Sequence, residues 1–243
     1  FTLSKRLFRQ ANWRRYCYQD HFTELTGLPA WKMHVWRYAD AQDYLDLYRR
    51  MIDLAPFELL QPDPGISRQE RERVEFIEKD GVPYLRDKKD GALTALSADS
   101  GHPIEYKANE TQLVFTKEDI RAQVKVIPAQ KQIADGLNDK LDAVVAALGR
   151  EHFIISGGVV GTIYSCGWYV GQTNALAMLK QEPELIDYLC ARITEQNIET
   201  IRALAAAGGD AIYIDDATAT SDMISMAFSK SRISRNKQGE SLV

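Results

Sequence analysis

Two textures alternate along this chain: stretches in which apolar residues recur every three or four positions, and short unbroken apolar runs. Their order sets the expected architecture. Tyr44, Leu45, Tyr48, Met51 and Ile52 lie at helical spacing behind Asp40 and Asp43, either of which can open the helix, and Pro56 closes it. Apolar residues cluster over 31–38, predicting a strand near 31–35, and the run 57–60 has strand length. Ile133, Leu137, Leu141, Val145 and Leu148 predict one continuous helix stopped at Gly149. Residues 153–156 read as a buried strand ending in Gly157-Gly158, and a shorter helix is expected over about 172–180. Pro183 then opens a long helix reaching about 207, with a stripe of Ile186, Leu189, Ile193, Ile201 and Leu204 that only Asn197 interrupts. Gly208-Gly209 ends it, and residues 211–214 run as a strand into Asp215-Asp216. Strand, helix, glycine stop, strand is the repeat of a parallel α/β protein.

Three segments depart from that rhythm. Residues 1–28 mix aromatics with charges and read as an irregular or helical N-terminal extension. In 66–110, Val74 and Phe76 alternate with charges, and Asp80-Gly81 stands where a tight hairpin turn belongs. An inserted β-hairpin of this kind covers one end of a barrel, joins the contacts of an oligomer such as a homodimer, or stands out in solvent. Residues 229–243 are polar and basic without apolar periodicity, the pattern of a flexible tail.

Composition narrows the function classes. A formal charge of −4 and a pI near 5.7 leave no basic footprint for nucleic acid. No apolar run reaches the length of a membrane span, which takes about 18 residues. Cys17, Cys166 and Cys190 form neither a C-x-x-C nor a His-x-Cys pair, so neither a disulfide framework nor a zinc site is read from spacing. A reducing cytoplasm is the expected location.

From about residue 115 to 225 the chain resembles the uroporphyrinogen decarboxylase superfamily. Ile155-Ser156-Gly157-Gly158, leading through Thr162 into Gly171, resembles the family's glycine-rich strand-to-helix turn. Ala177-Met178-Leu179 before Glu182-Pro183-Glu184-Leu185 resembles its helix junction, and Ala207-Gly208-Gly209-Asp210-Ala211-Ile212 its helix–strand step. Upstream, Pro29-Ala30-Trp31-Lys32-Met33 through Arg37-Tyr38 is similar to its first-strand motif, one residue shorter. The resemblance implies a (β/α)8 barrel with active-site groups at the C-terminal ends of the strands. Residues 29–228 are then a partial barrel with the hairpin insertion at 66–110. About four barrel strands are readable, near 31–35, 57–60, 153–156 and 211–214. Half a barrel has open edges, so the expectation is an N-terminal half of a longer chain; pairing with another half is the alternative.

Within the superfamily, porphyrinogen decarboxylation relies on an arginine, an aspartate, a tyrosine and a serine. Carried onto this sequence, these positions fall at Arg37, at or near Glu58, near Cys166 with Tyr164 close by, and at Ala217. Only the arginine survives cleanly. The run Asp215-Asp216-Ala217-Thr218-Ala219-Thr220-Ser221-Asp222 instead resembles a loop of the methylcobamide-dependent methyltransferases. Those enzymes move a methyl group between a small methylated substrate and a cobalamin carried on a partner corrinoid protein. Their zinc ligands, a His-x-Cys pair and a later cysteine, belong beyond residue 243. No cofactor is therefore expected on this chain itself, and zinc only in a complete family member. A porphyrinogen decarboxylase and a non-catalytic barrel fragment are the rival readings.

Each candidate residue carries a second reading. Asp215 and Asp216 close a buried strand, where they serve substrate binding or proton handling, or cap a following helix. His34 and Arg37 stand in an aromatic segment as catalytic or structural groups. Cys166 is a nucleophile or a buried, inert thiol. Gly157 and Gly158 serve substrate contact or backbone geometry, Tyr164 lies on the same turn, and Asp63 faces the site or shapes a turn.

Overall fold

The structure, a computed structural model, describes residues 22–32, 38–54, 58–63, 65–97 and 116–215. The chain divides into two compact units. The first comprises Phe1–Asn109, Ile127–Gly158 and Ile198–Tyr213; the second comprises Glu110–Val126, Val159–Asn197 and Ile214–Val243.

In the first unit, α1 (Phe22–Thr26) precedes α2 (Ala41–Leu54). Asp40 opens α2, its Oδ1 accepting the N–H groups of Gln42 and Asp43 at 2.8 and 2.9 Å. The apolar stripe of α2 is buried as its periodicity requires: Tyr44, Leu45 and Tyr48 join Leu60, Leu141, Val144, Ile154 and Leu204 in one core. Beneath it lies a sheet in the order β1 (Leu59–Leu60), β5 (Phe153–Val160), β6 (Ala211–Asp215). β1 runs parallel to β5, Leu59 opposite Phe153 and Leu60 opposite Ile154. At the other side of β5, Asp210 N–H donates to the Ile154 carbonyl at 2.8 Å.

The expected helix through Ile133 and Leu148 is two helices, α5 (Ala129–Ala134) and α6 (Asp139–Leu148). Gly136 between them has φ +92°, and a Cβ there would lie 2.6 Å from Asp139 Oδ2. The carbonyls freed by the break are taken up by a distant segment. Arg68 Nη1 donates to Ala134 O, Arg68 N to Asp135 O, Arg71 Nη1 to Gly136 O, and Gly65 N to Leu137 O. Arg68 and Arg71 also pair with the Asp139 carboxylate, Arg68 Nε at 2.8 Å. Across the break, buried Asn138 donates from Nδ2 to the Ala203 carbonyl at 2.6 Å. Next to it Lys140 is fully buried, its ammonium 4.6 Å from the Tyr44 ring centroid.

Arg68 and Arg71 belong to α3 (Arg68–Arg73), which opens with a capping box between Ser67 and Glu70. β2 (Val74–Lys79) and β3 (Val82–Asp87) follow as an antiparallel pair with Lys79 opposite Val82. Asp80 and Gly81 both take positive φ, 54° and 75°, as a two-residue connection of this hand demands. β4 (Leu93–Ala95) adds a third antiparallel strand.

The second unit has its own core. α4 (Lys117–Gln123) contributes Ile120, and α7 (Thr162–Val170) contributes Cys166 and Val170. α8 (Gln172–Gln181) supplies Ala175 and Leu179, and α9 (Pro183–Ala206) supplies Ile186, Leu189 and Ile193. Gly171, at φ +80°, both ends α7 and starts α8. Asn197, the polar interruption of the α9 stripe, donates to the Val160 carbonyl at 3.0 Å.

Two sequence expectations change. β5 runs through Gly157-Gly158 to Val160, and residues read as a glycine-rich turn form α7. The glycines mark tight packing and not the end of the strand. A Cβ on Gly158 would lie 2.6 Å from the Tyr213 carbonyl oxygen. Trp31 lies in a turn and Lys32 is helical; residues 33–37 of the expected 31–35 strand, with Phe57, 98–115 and 216–243, fall outside the described residues.

Two predictions follow from this packing. Ser156 Oγ is buried with no hydrogen-bond partner among the described residues, and a Cβ on Gly209 would lie 2.1 Å from it. Gly209→Ala should destabilise by about 1–3 kcal/mol, the usual range for overpacking. In a Ser156→Ala background at least half of that loss should disappear in urea unfolding, whereas strict additivity of the two changes would contradict the packing. The second concerns acid stability. Burial alone would raise the Asp139 carboxyl, but the hydrogen bonds and charges of Arg68 and Arg71 outweigh it and hold the group below the ordinary aspartate value. A carboxylate depressed in the folded state stabilises fully above its unfolded value near ~4, and that contribution is lost as pH falls through the folded value. The urea midpoint should therefore drop on acidification below about pH 4. Asp139→Asn, weaker by ~1–3 kcal/mol at neutral pH, should show a shallower acid fall; equal slopes would remove Asp139 from the account.

Candidate functional site

The C-terminal ends of β5 and β6 are built by backbone constraints before any side chain is considered. In the first unit, Gly158 lets β5 close on Tyr213 of β6, where the ring carbon Cδ1 would stand 2.8 Å from any added Cβ. Gly157 has φ +108°, a conformation that side chains rarely adopt. In the second unit the strand ends are joined by one bond, Gly161 N–H donating to the Asp215 carbonyl. The Val160 carbonyl just before it is held by Asn197, and Ser165 Oγ lies 3.4 Å away.

This arrangement leaves the Asp215 side chain half-buried at the end of its strand, its backbone already engaged. α7 starts at Gly161 without a side-chain cap. Its first turn carries Tyr164, whose ring meets Trp168 edge-on with centroids 5.8 Å apart. Trp168 is 56% exposed, the one large aromatic of this helix turned to solvent. The Tyr164 carbonyl accepts from Gln172 Nε2 at 3.1 Å, which ties α7 to α8. A carboxylate at a strand end can accept or return a proton, and the Tyr164–Trp168 pair, with Trp168 exposed, offers an aromatic face to an apolar or flat ligand.

Sequence reasoning placed Asp215, Tyr164 and Cys166 in one site, and the structure separates their environments. Cys166 is fully buried in the core of the second unit, facing away from solvent. Gly157 and Gly158 belong to a strand. Asp63 donates its backbone N–H to the Tyr44 hydroxyl at 2.8 Å while the residue itself is exposed. Burial, followed by the proximity of Tyr48 and Asp63, raises the Tyr44 phenol well above its ordinary value, so Tyr44 acts there as a neutral hydroxyl. Asp216, His34 and Arg37 lie outside the described residues.

Trp168 and Lys140 were missed in the sequence. The signal for Trp168 was its spacing of four from Tyr164, meaningful only once 162–170 is recognised as a helix. Lys140 gave none, because a lysine in the first turn of a helix normally reads as solvated.

A hollow of about 310 Å³ lies elsewhere, flanked by Gly149, Arg150, Gly209 and Asp210, which precede β5 and β6. It sits at the N-terminal ends of the strands and holds none of the predicted site residues. In a parallel α/β sheet chemistry collects at the other end, where Asp215 closes β6.

Among the described residues no group of three or more His, Cys, Asp or Glu side chains is placed to hold a metal ion. No helix among them is long and apolar enough to cross a membrane.

No curated protein and no solved structure matches the chain. The uroporphyrinogen decarboxylase (URO-D) family matches residues 76–230, a stretch that takes in β3 to β6, the whole second core and the strand ends just described. With well over half its length matched, the chain belongs to the uroporphyrinogen decarboxylase (URO-D) family.

Proposed function

We propose that this chain serves methyl transfer between a small methylated substrate and a cobalamin carried by a partner corrinoid protein, in the cytoplasm. In this reading β1, β5 and β6 are strands of a (β/α)8 barrel, and β2–β4 form an insertion. The observation that carries it is the placement of Asp215 at the C-terminal end of β6, immediately before the run 216–222 with its methyltransferase likeness. The buried position of Cys166 supports it from the other side. The residue near which the decarboxylase tyrosine would fall packs in the core and offers no hydroxyl to a tetrapyrrole.

When a methyl group leaves its heteroatom for cobalamin, the heteroatom keeps the bonding electron pair and becomes a better leaving group if protonated. The Asp215 carboxyl, or that of Asp216, supplies this proton and recovers it in the reverse direction. Tyr164 and Trp168, on the helix that follows β5, offer aromatic faces to an apolar part of the substrate.

Decarboxylation of a porphyrinogen is the second reading. Half-buried Tyr164 favours it, lying two residues from the family's tyrosine position.

The full-length protein should transfer methyl groups from methylated amines or thiols to a reduced corrinoid protein, followed by the cobalamin absorbance change. Conversion of uroporphyrinogen without any methyl transfer would replace this reading by the second one. Asp215→Asn should lower kcat/KM by about 100-fold or more, the scale of a lost proton donor. Its melting temperature should stay within about 2 °C of the parent, because Asp215 binds Gly161 through its backbone. A large fall in melting temperature with turnover intact would make Asp215 a structural residue.

A further inference from the structure

Cys166 and Cys190 are 24 positions apart in sequence, yet α7 and α9 bring their Sγ atoms to 3.5 Å. Neither is in a disulfide; Cys166 is fully buried and Cys190 partly exposed. At this separation the sulfurs are already in contact, and a bond of about 2.05 Å needs only a short approach by side-chain rotation. The asymmetry in exposure divides the roles. A reagent from solvent reaches Cys190 first, and Cys166 waits behind it, shielded by Val170, Ile186 and Leu189 in the core around it.

We propose that Cys166 and Cys190 form a redox-active dithiol that a hydroperoxide oxidises to a disulfide. The Cys190 thiol gives up its proton and its sulfur attacks one peroxide oxygen. The O–O bond breaks, Cys190 becomes a sulfenic acid, and the departing oxygen leaves as water after taking up the proton. The Cys166 thiol then loses its proton, and its sulfur displaces the hydroxyl from Cys190. An S–S bond forms, the S–O bond breaks, and a second water leaves. Two thiols and one hydrogen peroxide thus become one disulfide and two waters, a two-electron oxidation. Capture by Cys166 spares Cys190 from the irreversible sulfinic state. The bond fastens α7, which carries Tyr164 and Trp168, to the N-terminal third of α9. Oxidation therefore bears directly on the helix that flanks the candidate site.

This inference does not depend on the methyl-transfer reading, and its test needs no turnover. The full chain with Cys17→Ser, reduced and then treated with hydrogen peroxide, should lose both remaining thiols to thiol titration under denaturing conditions. Peptide mass analysis should find Cys166 and Cys190 joined with the loss of two hydrogens, and a dithiol reductant should restore both. The oxidised protein should melt at a higher temperature than the reduced one. Adding Cys166→Ala should instead leave Cys190 oxidised to sulfinic acid under the same treatment. If Cys166→Ala fails to fold, Cys190→Ser serves: it should leave Cys166 reduced and protected. Peroxide that yields sulfinic Cys190 while Cys166 stays a free thiol in the Cys17→Ser protein would overturn the proposal, as would chains linked to one another in place of the internal bond.

Discussion

Four consecutive carbonyls, those of residues 134–137, lose their helical partners where α5 stops and α6 begins. Such groups cannot be left unpaired inside a protein without a cost of about 1–3 kcal/mol each. The segment 65–71 takes up all four, two through backbone N–H groups and two through arginine side chains. The arginines are fixed in turn by Asp139, the first residue of α6. Much of the first unit follows from this junction. It sets the direction of α6, whose Leu141 and Val144 fill the core over β5, and it puts Lys140 under the ring of Tyr44. Tyr44 then reaches the backbone of Asp63 at the exit of β1. One break in a helix thereby positions the start of two helices and the end of one strand.

The charge arithmetic at this junction explains why it tolerates burial. Asp139 faces two guanidinium groups, and the ammonium of Lys140 finds the electron-rich face of Tyr44 close by. The second carboxylate nearby, Asp142, is pushed upward by burial and then by Asp139 itself. The cluster thus holds its strongest negative charge where the arginines are and weakens it where they are not.

How far the sequence could be read depended on the range of the forces involved. Stripes such as Tyr44, Leu45 and Tyr48, or Ile186, Leu189 and Ile193, are local periodicities, and their burial could be anticipated from spacing alone. The strand leading into Asp215 was legible as an unbroken apolar run, but its expected burial was not met: Tyr213 and Ile214 are exposed. The break at 135–138 was not: Leu137 keeps the apolar phase, and the partners of the freed carbonyls lie nearly seventy residues upstream. α7 was hidden because TIYSCGWYV is rich in β-branched and aromatic residues and contains Gly167, all modest or poor helix formers. Burial of Cys166 and Val170 overrides that preference. Gly157-Gly158 resembled a strand end because glycine weakens strands, whereas Gly158 answers to a neighbour, Tyr213, that only the folded sheet supplies. Contacts between distant thiols, as at Cys166 and Cys190, leave no trace in spacing at all.

The antiparallel sheet of β2, β3 and β4 bears on the order in which these contacts form. Its strands pair with immediate neighbours, β2 with β3 through a two-residue turn and β3 with β4 across residues 88–92, so they close small loops and can assemble on the microsecond scale typical of hairpins. The parallel pairing of Leu60 with Ile154, and the junction of 65–71 with 134–139, must instead bring together segments far apart in the chain. Loop-closure entropy penalises such meetings. Because β2–β4 lie inside the stretch that must be looped out, a sheet formed early folds back residues 74–95 and shortens the free chain between the two ends of the junction. These three strands then act as a contraction in the unfolded chain, lowering the entropic barrier to the slower long-range steps.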